Sequence, residues 1–477
     1  MAKALIAAAV AGLIFATILP AAADDWPTFG FDSARSGFNS TERTITRRNV
    51  RHLRERWQIA LGAVADSTPI LLQHVKVGRG YRAMLFQTTK NGVTLGIDAA
   101  TGHIVWHFGP SGPNITVSTP VADPSGTSIY VPAVDGKVHK LNASNGHEEH
   151  APGFPARITR MDTSEKNASP LNLANGYLYA TTSGYIGDAP PYDGHVVAVR
   201  LSDGKETVFN SLCSKKHKLL DGSECSQQRS GIWARGGAVV DPDSTMNGAV
   251  YAATGNGQFD ANSGGDNYGD SVVSLSADVM TLLSSYTPAD YQQLENNDTD
   301  LGSTSPALLP RQSSSATPLL LVQGGKDAIL KLLNRAPLPG VGSELQLIDL
   351  PSSLFSTPAV WTDGSGSAWI FMGFPSVVQA YRLQETSQGL GLVGIWQSRA
   401  GQTGGEGTSP VVADGVVFVA FDDAIVALNS TTGKELWSSA MQSAGKTIGP
   451  VHWESPIVVN GWVYCSDENG YLTGYSL

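Results

Sequence analysis

The chain has 477 residues, a formal net charge of −10, 16% charged residues and 52 glycines. No long lysine or arginine run marks a nucleic-acid surface; the densest basic stretch, residues 43–56, is interrupted by Glu55 and apolar residues. Sparse charge with abundant glycine suits a turn-rich β protein, and the absence of any Cys-x-x-Cys-His excludes a covalently attached c-type haem.

At the N-terminus Lys3 precedes an apolar run over residues 4–19, then Pro20 and the small residues Ala21, Ala22 and Ala23. This pattern reads as a secretory leader over residues 1–23, cleaved near Asp24 and too short for a durable anchor. It predicts a mature chain of residues 24–477 in the periplasm or outside the cell, with no integral membrane segment after cleavage. Residues 54–61 then read as a lone strand carrying Trp57.

From here a repeat governs the chain. A Ser/Thr-Pro pair opens a short apolar strand at Pro69, Pro120, Pro170, Pro306, Pro358, Pro410 and Pro456, mostly at steps of about 50 residues. The long interval after Pro170 holds a further opening without proline, at Gly236-Gly237-Ala238-Val239-Val240, which makes eight units. The clearest unit begins Ser409-Pro410-Val411-Val412-Ala413, passes through Ala424-Ile425-Val426-Ala427-Leu428-Asn429 and ends Thr432-Gly433-Lys434-Glu435-Leu436-Trp437. Alternating β-branched and small residues make strands, and the Asn/Asp-x-x-Thr-Gly runs make tight turns with glycine at positive φ. Four short antiparallel strands per unit predict an all-β, eight-bladed β-propeller. The recurrent tryptophan is expected to pack between blades. The last unit has only three strands; residues 54–61 supply the fourth, so pairing of the two ends closes the ring and removes an exposed edge.

Two units are enlarged, the third by residues 182–192 and by a loop between Cys213 and Cys225, the fourth by residues 257–270 and a stretch after Tyr286. In an oxidising compartment Cys213 and Cys225 can close a small loop, leaving Cys465 as a buried thiol in a strand. Asp260, Asn262, Asp266, Asn267 and Asp270 form an oxygen-rich loop that reads either as a cation loop or as a plain polar loop; it lacks the closing glutamate of an EF-hand.

The repeat, together with Asp25-Trp26-Pro27-Thr28-Phe29-Gly30-Phe31-Asp32 leading to Asn49-Val50-Arg51-His52-Leu53, resembles the quinoprotein alcohol dehydrogenases, and within them polyvinyl-alcohol-dehydrogenase-like proteins without a cytochrome domain. The resemblance implies pyrroloquinoline quinone (PQQ) on the propeller axis over a Ca²⁺ ion, and an aspartate base. Val250-Tyr251-Ala252-Ala253-Thr254-Gly255-Asn256-Gly257 makes Asn256 the implied Ca²⁺ ligand, with Asp188 near the place of the family's glutamate. Gly324-Gly325-Lys326-Asp327-Ala328 makes Lys326 the contact to the quinone oxygens. Asn297-Asp298-Thr299-Asp300-Leu301-Gly302-Ser303 offers Asp298 or Asp300 as base. Trp233 and Arg235 both lie near the register of the family's stacking tryptophan. No vicinal cysteine pair exists to cap the cofactor. The implied function is oxidation of an alcohol-bearing or polymer substrate, with a separate acceptor such as a soluble cytochrome c. The alternative is a non-enzymatic propeller that binds a protein, glycan or polymer. Convergence of Asn256, Lys326 and one of Asp298 or Asp300 on a central pocket separates the two.

Overall fold

The computed structural model describes residues 24–477 apart from 110, 111, 113, 186–188, 388, 400–405, 423 and 442–447; the expected leader lies outside the described residues. Eight sheets, antiparallel apart from short parallel additions by residues 38–39 and 340–341, succeed one another along the chain. They form blades 1 to 8 at residues 70–108, 121–157, 172–210, 239–287, 307–349, 359–399, 411–438 and 457–476, each opening at one of the predicted units. Tyr291–Asn297 is the one α-helix among the described residues, and none of their helices is long and apolar enough to cross a membrane.

Closure occurs as the repeat requires. Arg54–Ala60 pairs antiparallel with Tyr471–Ser476, placing Trp57 opposite Gly474 and Ala60 opposite Tyr471. The outer strand of blade 8 therefore comes from the other end of the chain, and no sheet edge remains at the seam.

The Ser/Thr-Pro openings have a physical reason beyond strand initiation. Their hydroxyls, with those of neighbouring residues such as Ser118, Thr304 and Ser466, tie each blade to the next around the axis. Ser118 Oγ donates to the Ser169 carbonyl at 2.6 Å and Thr304 Oγ1 to the Ser356 carbonyl at 2.7 Å. Thr119 Oγ1 accepts from Thr68 N–H at 2.9 Å, and Ser409 Oγ from Thr357 N–H at 2.9 Å. Similar bonds join Ser169 to Ile232, Gly236 to Ser305, Ser409 to Ser455 and Ser466 to Ser67. All eight junctions of the ring carry one, so the inner backbone is satisfied where no strand pairing is possible.

Farther out, the tryptophans bridge blades. Trp57, Trp106 and Trp396 donate Nε1–H to the carbonyls of Ala99, Ala143 and Ser430 in the following blade. Each ring covers the turn glycine there, Gly102, Gly146 or Gly433, where a Cβ would lie 2.8, 2.4 or 2.7 Å from the indole. Trp437 has no such partner for its buried Nε1, because in blade 8 no turn joins the third strand to the outer one.

Residues 24–39 cross one mouth of the central channel. Trp26 and Leu71 exchange two 2.8 Å backbone bonds, and the amides of Ala122, Val240, Val360 and Val412 donate to carbonyls of Pro27, Ser33, Ser36 and Gly37. Arg35 is buried at the centre of this plug. It donates to the carbonyls of Phe29, Pro170, Leu171 and Gly236 and to Thr28 Oγ1. Outside the ring, Cys213 and Cys225 form a disulfide, and Cys465 is a buried free thiol.

Candidate functional site

The plug binds strand residues at the openings of most blades, just after the Ser/Thr-Pro pairs where these are present. Residues that precede each pair lie on the other side of the hydroxyl belt, at the opposite mouth. There they line a cavity of about 320 Å³, to which Asp66, Val117, Lys166, Trp233, Phe355, Glu406 and Trp453 come from seven different blade lead-ins. Lys326, from the turn after the second strand of blade 5, completes the circle, and Lys90 occupies the same turn in blade 1.

On one side of this cavity four of the sequence candidates meet. Asp300 is 1% exposed. Its Oδ1 accepts from Asn256 N–H at 2.7 Å, and its Oδ2 lies 2.8 Å from Lys326 Nζ. Asn256 Nδ2 donates to Asp298 Oδ1 at 2.9 Å, and Asp298 Oδ2 is 3.4 Å from Lys326 Nζ. Local structure explains this arrangement. The helix Tyr291–Asn297 ends at Asp298, which takes the left-handed conformation at φ 52°, and the chain turns back through Asp300 into the one-turn helix Leu301–Ser303. Gly255 lets the pieces approach, since a Cβ there would stand 3.1 Å from Trp233 Nε1 and 3.3 Å from Asp300 Oδ1. Burial raises the pKa of Asp300, with Lys326 opposing. Burial also lowers that of Lys326, but Asp300 and Asp298 outweigh it and the net shift is upward. Asp270 sits beside this group, accepting from Leu301 N–H, and burial pushes its carboxyl up to about 8.

The floor is aromatic. Trp233 faces the cavity and stacks on Trp453 with centroids 6.1 Å apart and planes 20° apart. Lys326 Nζ lies 5.4 Å from the Trp233 ring. Arg235 does not share the Trp233 position: it is buried beneath Trp453, its guanidinium 3.8 Å from that ring. Asp188 falls on 186–188, outside the described residues. The 260–270 loop does not act as a unit, for Asp260 Oδ1 and Oδ2 accept from the N–H and Nδ2 of Asn267, whereas Asp270 turns toward Leu301.

Sequence reasoning missed the opposite wall. There Asp66 pairs with Lys90 at 2.7 Å, His452 stacks on Trp453 at 4.8 Å, and Glu406 accepts from Trp453 Nε1 at 2.5 Å. Burial acts to raise the Asp66 carboxyl, but the neighbouring His452, Glu468 and Lys90 side chains hold it well below the usual range. Burial and the facing Asp66 push Glu468 the other way. For Asp66, Glu406, His452 and Trp453 the signal was positional, since they fall in the few places ahead of Ser/Thr-Pro; Lys90 and Glu468 come from the turn after a second strand.

With this geometry in hand, residues 26–336 match the family model described as glucose/ethanol/alcohol dehydrogenase, beta-propeller domain. Residues 394–477 match that of the outer membrane protein assembly factor BamB. No curated protein sequence matches the chain. Among solved structures, the quinohemoprotein alcohol dehydrogenase ADHIIG of Pseudomonas putida HK5 superposes with a TM-score of 0.65 at 14% identity, over 95% of this chain and 80% of that one. A europium-containing methanol dehydrogenase gives 0.64 at 14% over 95% and 98%, and BamB of Moraxella catarrhalis gives 0.53 at 13% over 89% and 100%. At such identities these likenesses show the fold.

Proposed function

The chain belongs to the family of glucose/ethanol/alcohol dehydrogenase β-propeller domains, and on that footing we propose that it is a PQQ-dependent dehydrogenase of an alcohol-bearing substrate. The observation that supports this reading is the meeting of Asn256, Asp300 and Lys326 beside one cavity with an indole floor. A planar polyanion fits the cavity chemically: the flat Trp233 ring offers a stacking face, and Lys90, Lys166 and Lys326 bring ammonium groups to its lining. The donors Asn256 Oδ1, Asp298 and Asp300 are all oxygen, as a hard cation such as Ca²⁺ requires, and Asp188 is the further ligand implied by resemblance. When bound, the quinone with its Ca²⁺ supplies the two-electron acceptor for hydride from the alcohol carbon.

The chain's own residues then have distinct tasks. Asp300 is the better base of the two aspartates. It is buried and held by two donors, so its carboxylate is oriented to take a proton from a hydroxyl, whereas the Asp298 side chain is 65% exposed. Lys326 neutralises the pair and presents positive charge to the cavity. Trp233 fixes the plane of whatever stacks on it. Because the chain has no Cys-x-x-Cys-His, electrons leave to a separate acceptor, for which a soluble cytochrome c in the periplasm is the proposed partner.

The test is a titration of the mature protein with PQQ, with and without Ca²⁺, read by quenching of tryptophan fluorescence and followed by dye reduction on a panel of alcohols. Saturable, Ca²⁺-dependent binding with turnover supports the dehydrogenase. No binding at high micromolar quinone overturns it and returns the chain to the partner-binding propellers.

A further inference from the structure

Lys326 lies over Trp233 and His452 over Trp453, the two rings that stack on each other. Asp300 pairs with Lys326 on the first side, and Asp66 stands beside His452 on the second. We propose that Asp66, His452 and Glu468 form a second metal site, selective for a divalent transition ion of the zinc class. The three residues come from separate places, ahead of blade 1, ahead of blade 8 and in the turn after the second strand of blade 8. Yet one ligand atom of each lies within 4.8 Å of the other two. Ligand atoms around an ion with bonds of about 2.1 Å stand roughly 3–4 Å apart, so a small closure of half-buried side chains completes the set.

Independent of that spacing, one oxygen of Asp66 is aimed into the cluster without a hydrogen bond. Asp66 is 1% exposed, and its Oδ1 has no hydrogen-bond partner, standing 3.5 Å from His452 Nδ1. Its other oxygen is fixed by Lys90. Glu468 Oε1 is a further buried oxygen without a hydrogen bond. Such atoms are costly unless something fills the space between them.

The donor types choose the ion. One imidazole nitrogen with two carboxylate oxygens suits zinc and its neighbours, whereas calcium takes six to eight oxygens. Behind the imidazole, Nε2 lies 3.8 Å from Glu406 Oε2. A carboxylate on the second ring nitrogen is how a ligating histidine is oriented and its tautomer set. Asp66 and His452 both line the cavity, so the remaining coordination position faces its interior.

The experiment uses the metal-stripped mature protein with no quinone present, which separates its outcome from that of the dehydrogenase test. ZnCl₂ and CoCl₂ are titrated, with CaCl₂ as competitor. The expected result is one tight zinc per chain that excess calcium does not displace, and a cobalt form with visible absorption bands. His452→Ala, at a half-exposed position, and the near-isosteric Glu468→Gln weaken zinc at least about tenfold, and Glu406→Gln by a similar or smaller factor. The exposed-site control His147→Ala leaves binding unchanged. Wild type and His452→Ala binding zinc equally, or wild type binding none at high micromolar metal, overturns the proposal. Circular dichroism confirms that each variant is folded.

Discussion

Asp298 and Asp300 are two residues apart, yet their surroundings divide them. One carboxylate is solvated; the other is enclosed, oriented by the Asn256 amide and paired with Lys326. A base needs geometry first. Asp300→Asn is therefore expected to keep quinone binding and lose turnover by about 10²–10⁴-fold, and Asp298→Asn by less than about tenfold; equal losses would remove the distinction. A second buried group sits behind Lys166. Glu165 Oε2 accepts from Asp193 N–H at 2.9 Å, and Oε1 lies 3.4 Å from His195 Nε2, all three side chains being fully buried. Burial pushes Glu165 up to about 8 and Asp193 to about 7, and His195 down to about 4. The signs differ. The raised carboxyls favour the folded state most fully below their unfolded values near 4, and that contribution is lost as pH rises through about 8. The depressed histidine contributes fully above about 6.5 and loses it as pH falls toward about 4. Melting temperatures measured from pH 5 to 9 should fall on the alkaline side in wild type, and Glu165→Gln should flatten that limb. Parallel limbs would mean that Glu165 does not ionise over this range.

At the scale of elements, tryptophan and turn glycine form one device. Gly146 needs both a backbone at φ 71° and the absence of a Cβ that would meet Trp106 at 2.4 Å. Gly126 has φ 68° and nothing within 4 Å. Gly126→Ala should thus show the conformational cost alone, about 1–2 kcal/mol. Gly146→Ala adds overpacking of roughly 1–3 kcal/mol and should melt lower by the larger margin; equal shifts would refute the stacking account. This device was legible in the sequence because its parts recur at fixed positions, as in Thr101-Gly102 and Trp106 or Thr432-Gly433 and Trp437. The lead-ins were not. Asp66, Lys166, Phe355, Glu406 and Trp453 share no residue type, only a place ahead of a blade, so no motif announces them. Asn256, Lys326 and Asp300 stood out only through family resemblance, since composition gives no reason to join residues so far apart.

For the whole molecule, closure was readable because one unit lacked a strand and residues 54–61 had one to spare. The plug was not readable: backbone amides and carbonyls do most of its work, and their partners lie up to hundreds of residues away. Arg35 is its exception and its centre. The carbonyls of Pro170 and Leu171 and of Gly236 belong to the openings of blades 3 and 4, and the same two lead-ins present Lys166 and Trp233 to the cavity on the far side of the belt. The plug thus holds the cavity from behind, through short segments whose other ends are the site. Replacing Arg35 by methionine keeps the bulk of the side chain and removes every donor, leaving several buried carbonyls unpaired at about 1–3 kcal/mol each before relaxation. The expected outcome is a lower melting temperature, together with faster amide exchange confined to residues near 168–171 and 232–238 and weaker quinone binding. Lost stability with unchanged exchange there would mean that Arg35 serves the plug alone, and that the two mouths of the channel are mechanically independent.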